Sequence, residues 1–247
     1  MSVDSPEQLD GLRRAGLVVA ETIASVRRTA VPGVTTRELD AVAQDVFDRH
    51  AARSGPVLTY RYPGAICLSV DAEIVHGVPG DRRLREGQLL TIDVAAELAG
   101  FHADAATTIA IGAPSSPARR LMAAGRAALA AGLAAVRPGV ALRDVGAAVE
   151  RATEARGFFV ARELTGHGIG RRMHEPPTVF NWPAPYAEAS HKLTEGLVLT
   201  IEPMIVAGRP RLVLDRDGWT IRTRDGALST HEEHTVVVGS DGPLVIA

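Results

Sequence analysis

Apolar residues recur at helical spacing near the start of the chain and again past its midpoint. Ser5-Pro6-Glu7-Gln8 predicts a helix start with a Ser cap, Pro at the first helical position and Gln completing a capping box, and this helix runs towards Arg28. Thr35-Thr36-Arg37-Glu38 opens a second helix with apolar residues along one face. The pattern also predicts an Ala-rich helix from Leu121 to Val136 and another from about Leu142 to Gly157.

Short apolar runs bounded by Gly, Pro and Asp predict strands between these helices. The runs are Ile66 to Val75, Gly87 to Ala95, Leu197 to Pro203 and His234 to Val238. Leu98-Ala99-Gly100 lies midway between Asp93 and Asp104. A hairpin that turns there would set the two acids nearly opposite each other on adjacent antiparallel strands.

The strand pattern occurs twice in the chain. The segment Leu84–Asp93 returns 109 residues later as Leu193–Glu202, with six of ten positions identical. The helical block recurs as well, since Pro32-Gly33-Val34 matches Pro138-Gly139-Val140 at an offset of 106. A repeat that covers both helix and strand indicates internal duplication. We therefore predict one domain, residues 1–247, made of two similar halves at about 1–115 and 116–247.

Each copy of the repeat ends on a carboxylate, and a second carboxylate follows it. The first half supplies Asp93 and Asp104, and the second half supplies Glu202 and Glu233. Four acids at matching places in two similar halves indicate one shared site on a pseudo-two-fold axis. Because unpaired buried anions are very costly, a pair of divalent metal ions is the economical explanation.

Three histidines stand near these acids in the sequence. Gly166-His167-Gly168-Ile169-Gly170 places a histidine between glycines, where the backbone is free to bring the ring close to a ligand. His76 precedes Asp93 much as His174 precedes Glu202. Four carboxylates and one imidazole suit Mn, Fe, Co or Zn better than a thiolate-selective metal. Two such ions can activate a water molecule and polarise a scissile carbonyl.

Composition and charge exclude several classes of protein. The net charge of −2 offers no electrostatic footprint for nucleic acid or for an anionic membrane. Cys67 is the single cysteine, so no intrachain disulfide can form and a reducing compartment fits best. The first five residues lack the regions of a secretory signal, and Arg126 interrupts the most apolar stretch. We predict a cytoplasmic protein without a membrane span.

Several motifs, read in order, resemble the type I methionine aminopeptidases. They are Cys67-Leu68-Ser69-Val70, Thr91-Ile92-Asp93 with Asp104, Gly166 to Gly170 through His174-Glu175, Thr200-Ile201-Glu202-Pro203-Met204, Asp217-Gly218-Trp219-Thr220 and Glu233-His234-Thr235. The resemblance covers almost the whole chain. It implies the α+β pita-bread fold, in which two pseudo-symmetric halves, each with helices packed on a curved antiparallel sheet, surround a dinuclear metal site. The chain resembles the short bacterial form, without an N-terminal zinc-binding extension.

The resemblance also implies a role for each candidate residue. Asp93 would bind one ion, Asp104 and Glu233 would bridge both ions, and His167 and Glu202 would complete the shell of the second. Glu202 would also be the general base.

The remaining candidate residues would contact the substrate. His76 and His174 would hold it and stabilise the oxyanion. The residues that would line a pocket for an apolar side chain are Tyr62, Cys67, Met173 and Trp219. The implied activity is removal of the initiator methionine from nascent chains when the next residue is small, by a monomer, with the ribosome left open as a partner.

The chain departs from the family pattern at six positions. These are Arg61 where Gly is expected, Asp71 for Asn, Ala103 for Gly, Thr165 for Cys, Pro176 for an acid and Glu232 for an aromatic or polar residue. None is a predicted metal ligand, so substrate preference and rate are affected more than the fold.

Structural interpretations compete with some of these roles. His102 and His231 match each other in the repeat, but a histidine just outside a strand is most often a surface residue. Cys67 is more often a small buried hydrophobe than a reactive group. Asp71 is best read as a turn residue or cap, and Trp219 as pocket wall competes almost evenly with Trp219 as plain core.

Two other functions remain open on the sequence. One is a related pita-bread hydrolase that cuts Xaa-Pro bonds or processes a special peptide, although such enzymes generally carry an extra N-terminal domain. The other is an inactive relative that only binds peptides or the ribosome. Such proteins usually lose metal ligands, and all five candidates are present in this chain.

Overall fold

The computed structural model describes residues 1–247, which form five α-helices, one short 3-10 helix and fifteen β-strands. The helices are α1 (Pro6–Thr29), α2 (Thr36–His50), α3 (Gly55–Tyr60), α4 (Ser116–Ala135) and α5 (Leu142–Glu154), with the 3-10 helix at Ala187–Ser190. The strands are β1 (Arg53–Ser54), β2 (Cys67–Val70), β3 (Glu73–Val75), β4 (Leu89–Leu98), β5 (Phe101–Ala110), β6 (Phe159–Val160), β7 (Thr165–Gly168), β8 (Glu175–Phe180), β9 (Val198–Ile201), β10 (Met204–Val206), β11 (Leu212–Leu214), β12 (Ile221–Thr223), β13 (Ser229–His231), β14 (His234–Gly239) and β15 (Gly242–Val245). No helix has both the length and the apolar character needed to cross a membrane.

The four predicted long helices are present, and local chemistry explains their starts. Thr35 and Glu38 form the full capping box of α2, each side chain accepting from the other residue's backbone N–H. At α1, Ser5 accepts from the Gln8 N–H, but the Gln8 side chain accepts from the Asp4 N–H instead of from Ser5. The capping box predicted there is therefore wrong in its second half. The six-residue helix α3 was not predicted, because one and a half turns are too short for a periodic pattern.

Strand β4 is the centre of the first sheet. It pairs antiparallel with β1, β2 and β5, and α1 packs across β4 and β5. β4 and β5 form the predicted hairpin, with Ala99 and Gly100 at positive φ in the turn. The register sets Asp93 opposite Ala106 and Ala95 opposite Asp104. The two acids are therefore diagonal neighbours on adjacent strands, two positions from a directly opposite pair, close to the nearly opposite placement that the sequence predicted.

The second half repeats this arrangement of helix pair and sheet. Its five-stranded sheet has the order β15-β14-β9-β7-β8, and the antiparallel pair β9–β14 occupies the place of β4–β5. Helices α4 and α5 pack against each other, as α1 and α2 do. The loops that join the helices of each pair turn at Gly33 and Gly139, which adopt φ of 94° and 83°.

One further sheet and a set of hydrogen bonds join the halves. Strand β3 of the first half pairs with β12, while β10 forms a separate sheet with β6 and β13. The Thr235 hydroxyl of β14 donates to the Asp104 carbonyl at 2.8 Å and accepts from the Asp104 N–H at 2.9 Å. The Glu233 N–H donates to the carbonyl of Ala106 at 2.8 Å. The halves are thus bonded to each other where the candidate acids lie.

Candidate active site

All eleven residues that the sequence selected line one cavity of about 540 Å³. The cavity opens between the two halves. The eleven are Tyr62, Cys67, His76, Asp93, Asp104, His167, Met173, His174, Glu202, Trp219 and Glu233. The cavity also contains Tyr60 and His231, which the sequence reasoning did not select.

Paired antiparallel strands bring the four acids together. Asp93 and Asp104 project from the β4–β5 hairpin, while Glu202 directly follows β9 and Glu233 directly precedes β14. Because His234 pairs with Ile201 across β9 and β14, Glu202 and Glu233 are also neighbours. The two pairs then face each other across the seam between the halves.

Burial and mutual proximity raise the pKa values of the four acids. Burial raises the pKa of Asp93 to about 7 and that of Glu202 to about 8. Burial, followed by the nearby charge of Asp93, raises the pKa of Asp104 well above its usual range. For Glu233 the causes of a raised pKa are burial and then the charge of Asp104. In the chain alone, these four groups cannot all be ionised at neutral pH.

His167 is positioned by its glycine neighbours and by Thr200. Its backbone N–H donates to the Thr200 hydroxyl at 3.0 Å, and a Cβ on Gly166 would lie 2.9 Å from the Thr200 carbonyl oxygen. His167 Nδ1 lies 2.9 Å from the Gly168 carbonyl, so this nitrogen carries the proton and Nε2 keeps its lone pair. Nε2 is 3.5 Å from Oε1 of Glu202. Burial lowers the pKa of His167 to about 3.

Thr200 also orients Glu202. Its hydroxyl donates to Glu202 Oε1 at 2.6 Å while it accepts from the His167 N–H. This hydrogen bond acts against the raised pKa of Glu202, because it favours the ionised carboxylate. One buried hydroxyl therefore fixes two candidate metal ligands relative to each other.

His174 and His76 lie at the mouth of the acidic cluster. The His174 ring packs edge-on against the His167 ring with the centroids 4.0 Å apart, and His174 Nδ1 is hydrogen-bonded to the Tyr60 hydroxyl. Burial lowers the pKa of His174 to about 4 and also lowers the pKa of His76. Both rings are therefore neutral at pH 7, and both line the cavity. Tyr60 belongs to α3, and no pattern in the sequence marked it.

Apolar and sulfur-containing side chains form the remaining wall. The rings of Tyr62 and Trp219 meet edge-to-face at 5.3 Å, and the Tyr62 hydroxyl donates to the Gly77 carbonyl at 2.7 Å. Cys67 pairs with Asp93 across β2 and β4, so its buried thiol stands directly beside the acid. Trp219 faces the cavity and is partly exposed, which places it in the pocket wall instead of the core.

The prediction that His102 and His231 are surface residues is wrong. They are only 8% and 2% exposed. Each precedes an acid by two positions, and in an extended chain residues i and i+2 share a face. His231 lines the cavity with Glu233, as this spacing indicates, whereas His102 does not line it although Asp104 does. Burial lowers the pKa of His231 to about 3.

The departures from the family pattern lie mostly away from the cavity. Arg61 and Asp71 both have φ of 58°, a left-handed conformation that Gly and Asn adopt most easily. The Asp71 carboxylate accepts from the Leu89 N–H at 2.9 Å, as expected of a turn residue. Glu232 is buried and accepts from the Thr107 hydroxyl at 3.1 Å. The other three are Ala103, buried in β5, Pro176 in β8 and Thr165, the one departure that lines the cavity.

The donor atoms of the cluster fit divalent metal ions. Asp104, His167 and Glu233 offer ligand atoms within 4.8 Å of one another, and so do Glu202, His231 and Glu233. Asp104 Oδ1 and Glu233 Oε1 are buried without a hydrogen-bond partner. Since buried polar atoms are nearly always paired, such acceptors are typical of groups that bind a cation.

A family model and several known proteins match nearly the whole length of the chain. The model of metallopeptidase family M24 matches residues 10–240. The methionine aminopeptidase of Clostridium perfringens is 37% identical over 239 residues, 97% of this chain and 95% of that protein. The Escherichia coli K12 methionine aminopeptidase is 38% identical over 245 residues, 98% of this chain and 92% of that protein.

Solved structures of two kinds of enzyme superpose on nearly the whole chain. The crystal structure of methionine aminopeptidase from Rickettsia prowazekii superposes with a TM-score of 0.94 at 34% identity, covering 100% of this chain and 99% of that chain. The prolidase from Pyrococcus furiosus superposes with a TM-score of 0.78 at 19% identity, covering 99% of this chain and 64% of that chain. The second likeness concerns the fold alone.

Proposed function

Because the chain belongs to metallopeptidase family M24, we propose that it removes the N-terminal methionine from peptides and new proteins when the next residue is small. The predicted α+β pita-bread fold and the predicted metal-dependent exopeptidase class are both confirmed. The observation that carries the proposal is a single cavity of about 540 Å³, in which the four acids lie together with apolar and sulfur-containing side chains.

The proposed metal centre contains two divalent ions. Asp93 would bind one ion, Asp104 and Glu233 would be shared, and His167 and Glu202 would bind the other. The unpaired oxygens of Asp104 and Glu233 support the sharing. When bound, the ions activate a water molecule and polarise the scissile carbonyl. Co, Mn, Fe and Zn all suit these ligands.

The protein's own groups would then carry the proton and hold the substrate. Glu202, oriented by Thr200, takes the proton of the attacking water and passes it to the leaving amine. His174, held by Tyr60, donates a hydrogen bond to the oxyanion of the tetrahedral intermediate, and His76 orients the peptide. These three side chains surround the cavity from both halves.

The pocket would select the methionine side chain. Tyr62 and Trp219 offer aromatic faces, and Cys67 and Met173 offer polarizable sulfur. A flexible thioether packs favourably against both kinds of group. The substrate enters from solvent, and we propose that the enzyme works as a cytoplasmic monomer on nascent chains. The ribosome is a further candidate partner.

The test is the hydrolysis of Met-Ala-Ser, Leu-Ala-Ser and Ala-Pro-Ala by protein loaded with Co, Mn or Fe. We expect a clear preference for Met-Ala-Ser, and a loss of about 10²- to 10⁴-fold in kcat for Glu202→Gln, because the general base is removed. Cleavage of Ala-Pro-Ala instead would assign the chain to the Xaa-Pro branch. Peptide binding without any hydrolysis would identify an inactive binder.

A further inference from the structure

His231 lies in the metal cluster but has no role in the proposed reaction. It ends β13, where it pairs with Met204, and it is 2% exposed. Its backbone is held on both sides by one hydroxyl, since the His231 N–H donates to Thr108 Oγ1 at 2.9 Å and Thr108 Oγ1 donates to the His231 carbonyl at 3.0 Å. The ring is therefore presented to the cavity by a fixed backbone.

Both ring nitrogens of His231 lack a hydrogen-bond partner. A buried polar group without a partner costs about 1–3 kcal/mol, so such groups are rare in folded proteins. The cost at Nε2 is offset when that nitrogen binds an ion that is not part of the chain, while Nδ1 keeps its proton. His167, by comparison, has one nitrogen bonded to a carbonyl and only the other facing the acids.

The distances around His231 exclude a hydrogen bond and fit a shared ion. Its Nε2 lies 3.8 Å from Oε2 of Glu202 and 3.7 Å from Oε2 of Glu233. Both separations exceed the range of an N–H···O bond. Two donor atoms that each lie about 2.1 Å from one ion are at most about 4.2 Å apart. One cation can therefore be bound by all three side chains.

We propose that His231 is a sixth metal ligand, binding through Nε2 the ion that Glu202 and Glu233 hold. The proposal deepens the proposed function and rests on it. The ion would then have two imidazole ligands, His167 and His231. Imidazole suits Zn, Fe, Ni and Cu, whereas carboxylate and water suit Mn and Mg. A second imidazole would thus shift the preference of this site away from Mn.

The experiment compares wild-type protein with His231→Phe and His231→Ala in their cobalt forms. His102→Phe is the matched control, because His102 is also buried with an unpaired Nδ1 but does not line the cavity. Calorimetric titration gives the Co²⁺ dissociation constant and the number of ions bound. Proton NMR of the cobalt protein counts metal-bound imidazoles, each of which gives one strongly shifted exchangeable N–H signal.

We expect two such signals in wild type and in the control, and one in His231→Phe. The dissociation constant of the tighter site should rise at least about 10- to 100-fold in both His231 variants. A single shifted signal in wild type, or an unchanged constant in the variants, would overturn the assignment and leave the proposed function intact. Wild-type protein that binds no Co²⁺ would overturn both. The number of shifted signals in the wild-type protein tests whether His231 binds the ion even if neither variant folds.

Discussion

Replacing Thr200 by Val removes one hydroxyl and keeps the shape of the side chain. In the folded protein this hydroxyl donates to Glu202 Oε1 at 2.6 Å and accepts from the His167 N–H at 3.0 Å. Thr200 is fully buried, so no water can replace either bond. Thr235 is the matched control, because its buried hydroxyl bonds only to the backbone of Asp104.

The expected cost depends on pH. At pH 6 Glu202 is protonated, because its pKa is raised to about 8, and Thr200→Val loses an ordinary hydrogen bond and leaves the His167 N–H unpaired. Together these cost about 2 kcal/mol. At pH 9 the carboxylate is ionised and the lost bond is about twice as strong, so the cost rises to about 3–4 kcal/mol. Losing the donor raises the pKa of Glu202 in the folded protein further above its value in the unfolded chain. Folding of Thr200→Val therefore binds more protons than folding of the wild type, and its stability falls more steeply as the pH rises.

The assay is urea unfolding of metal-free protein at pH 6 and pH 9. Thr200→Val should lose more stability at pH 9, whereas Thr235→Val should lose about 1–3 kcal/mol at both pH values because it touches no titrating group. Thr200→Ser, which keeps the hydroxyl, should show no pH-dependent loss. Equal losses in the Thr200 and Thr235 variants at both pH values would refute the argument that the hydroxyl stabilises the ionised carboxylate.

Three other outcomes follow from the geometry of the site. In Gly166→Ala the new Cβ would lie 2.9 Å from the Thr200 carbonyl oxygen, so we expect the unfolding free energy to fall by about 1–3 kcal/mol and metal binding to weaken. The control Gly80→Ala, which has open space around the new Cβ, should change neither quantity. Removing the metal with a chelator should lower Tm, and the difference in Tm between metal-loaded and metal-free protein should widen from pH 5 to pH 8. The reason is that the raised pKa values of Asp93 and Glu202 make the metal-free protein lose stability as the pH rises. A Tm difference that stays constant with pH in calorimetry would contradict this. Trp219→Ala should reduce kcat/KM for Met-Ala-Ser about 10- to 100-fold, mainly through KM, and an unchanged KM would remove Trp219 from the pocket wall.

The cluster of four acids could be predicted from the sequence because the internal duplication places two of them in each half. Asp93 and Glu202 end the two copies of one repeated segment, and a second acid follows each copy, Asp104 in the first half and Glu233 in the second. The hairpin between Asp93 and Asp104 was predictable for a local reason, namely a Gly-containing turn between two apolar runs. The exact register was not, since the turn is centred between Ala99 and Gly100, one position beyond the midpoint between Asp93 and Asp104, and this places Asp93 opposite Ala106.

Other parts of the site depend on long-range packing and left no local pattern. Tyr60 reaches His174 from a helix of six residues, and the pairing of β3 with β12 joins segments almost 150 residues apart. The position of His231 beside Glu233 in the cavity could have been predicted from its spacing of two residues from that acid. The prediction of a surface residue at the end of a strand did not use this spacing. The left-handed backbone at Arg61 explains why the family pattern expects Gly there, which the sequence could not reveal by itself.

The order of the site residues along the chain has a consequence for the timing of activity. Asp93 and Asp104 lie in the first half, whereas Glu202 and Glu233 lie in the last fifth of the chain. During synthesis, a molecule completed as far as β9 has its first hairpin and His167 but lacks both Glu202 and Glu233, which follow that strand in the chain. The cluster is assembled only after β14 has left the ribosome and paired with β9. We therefore expect an unfinished copy of this protein, which lacks part of the proposed metal site, to be inactive even when metal ions are abundant.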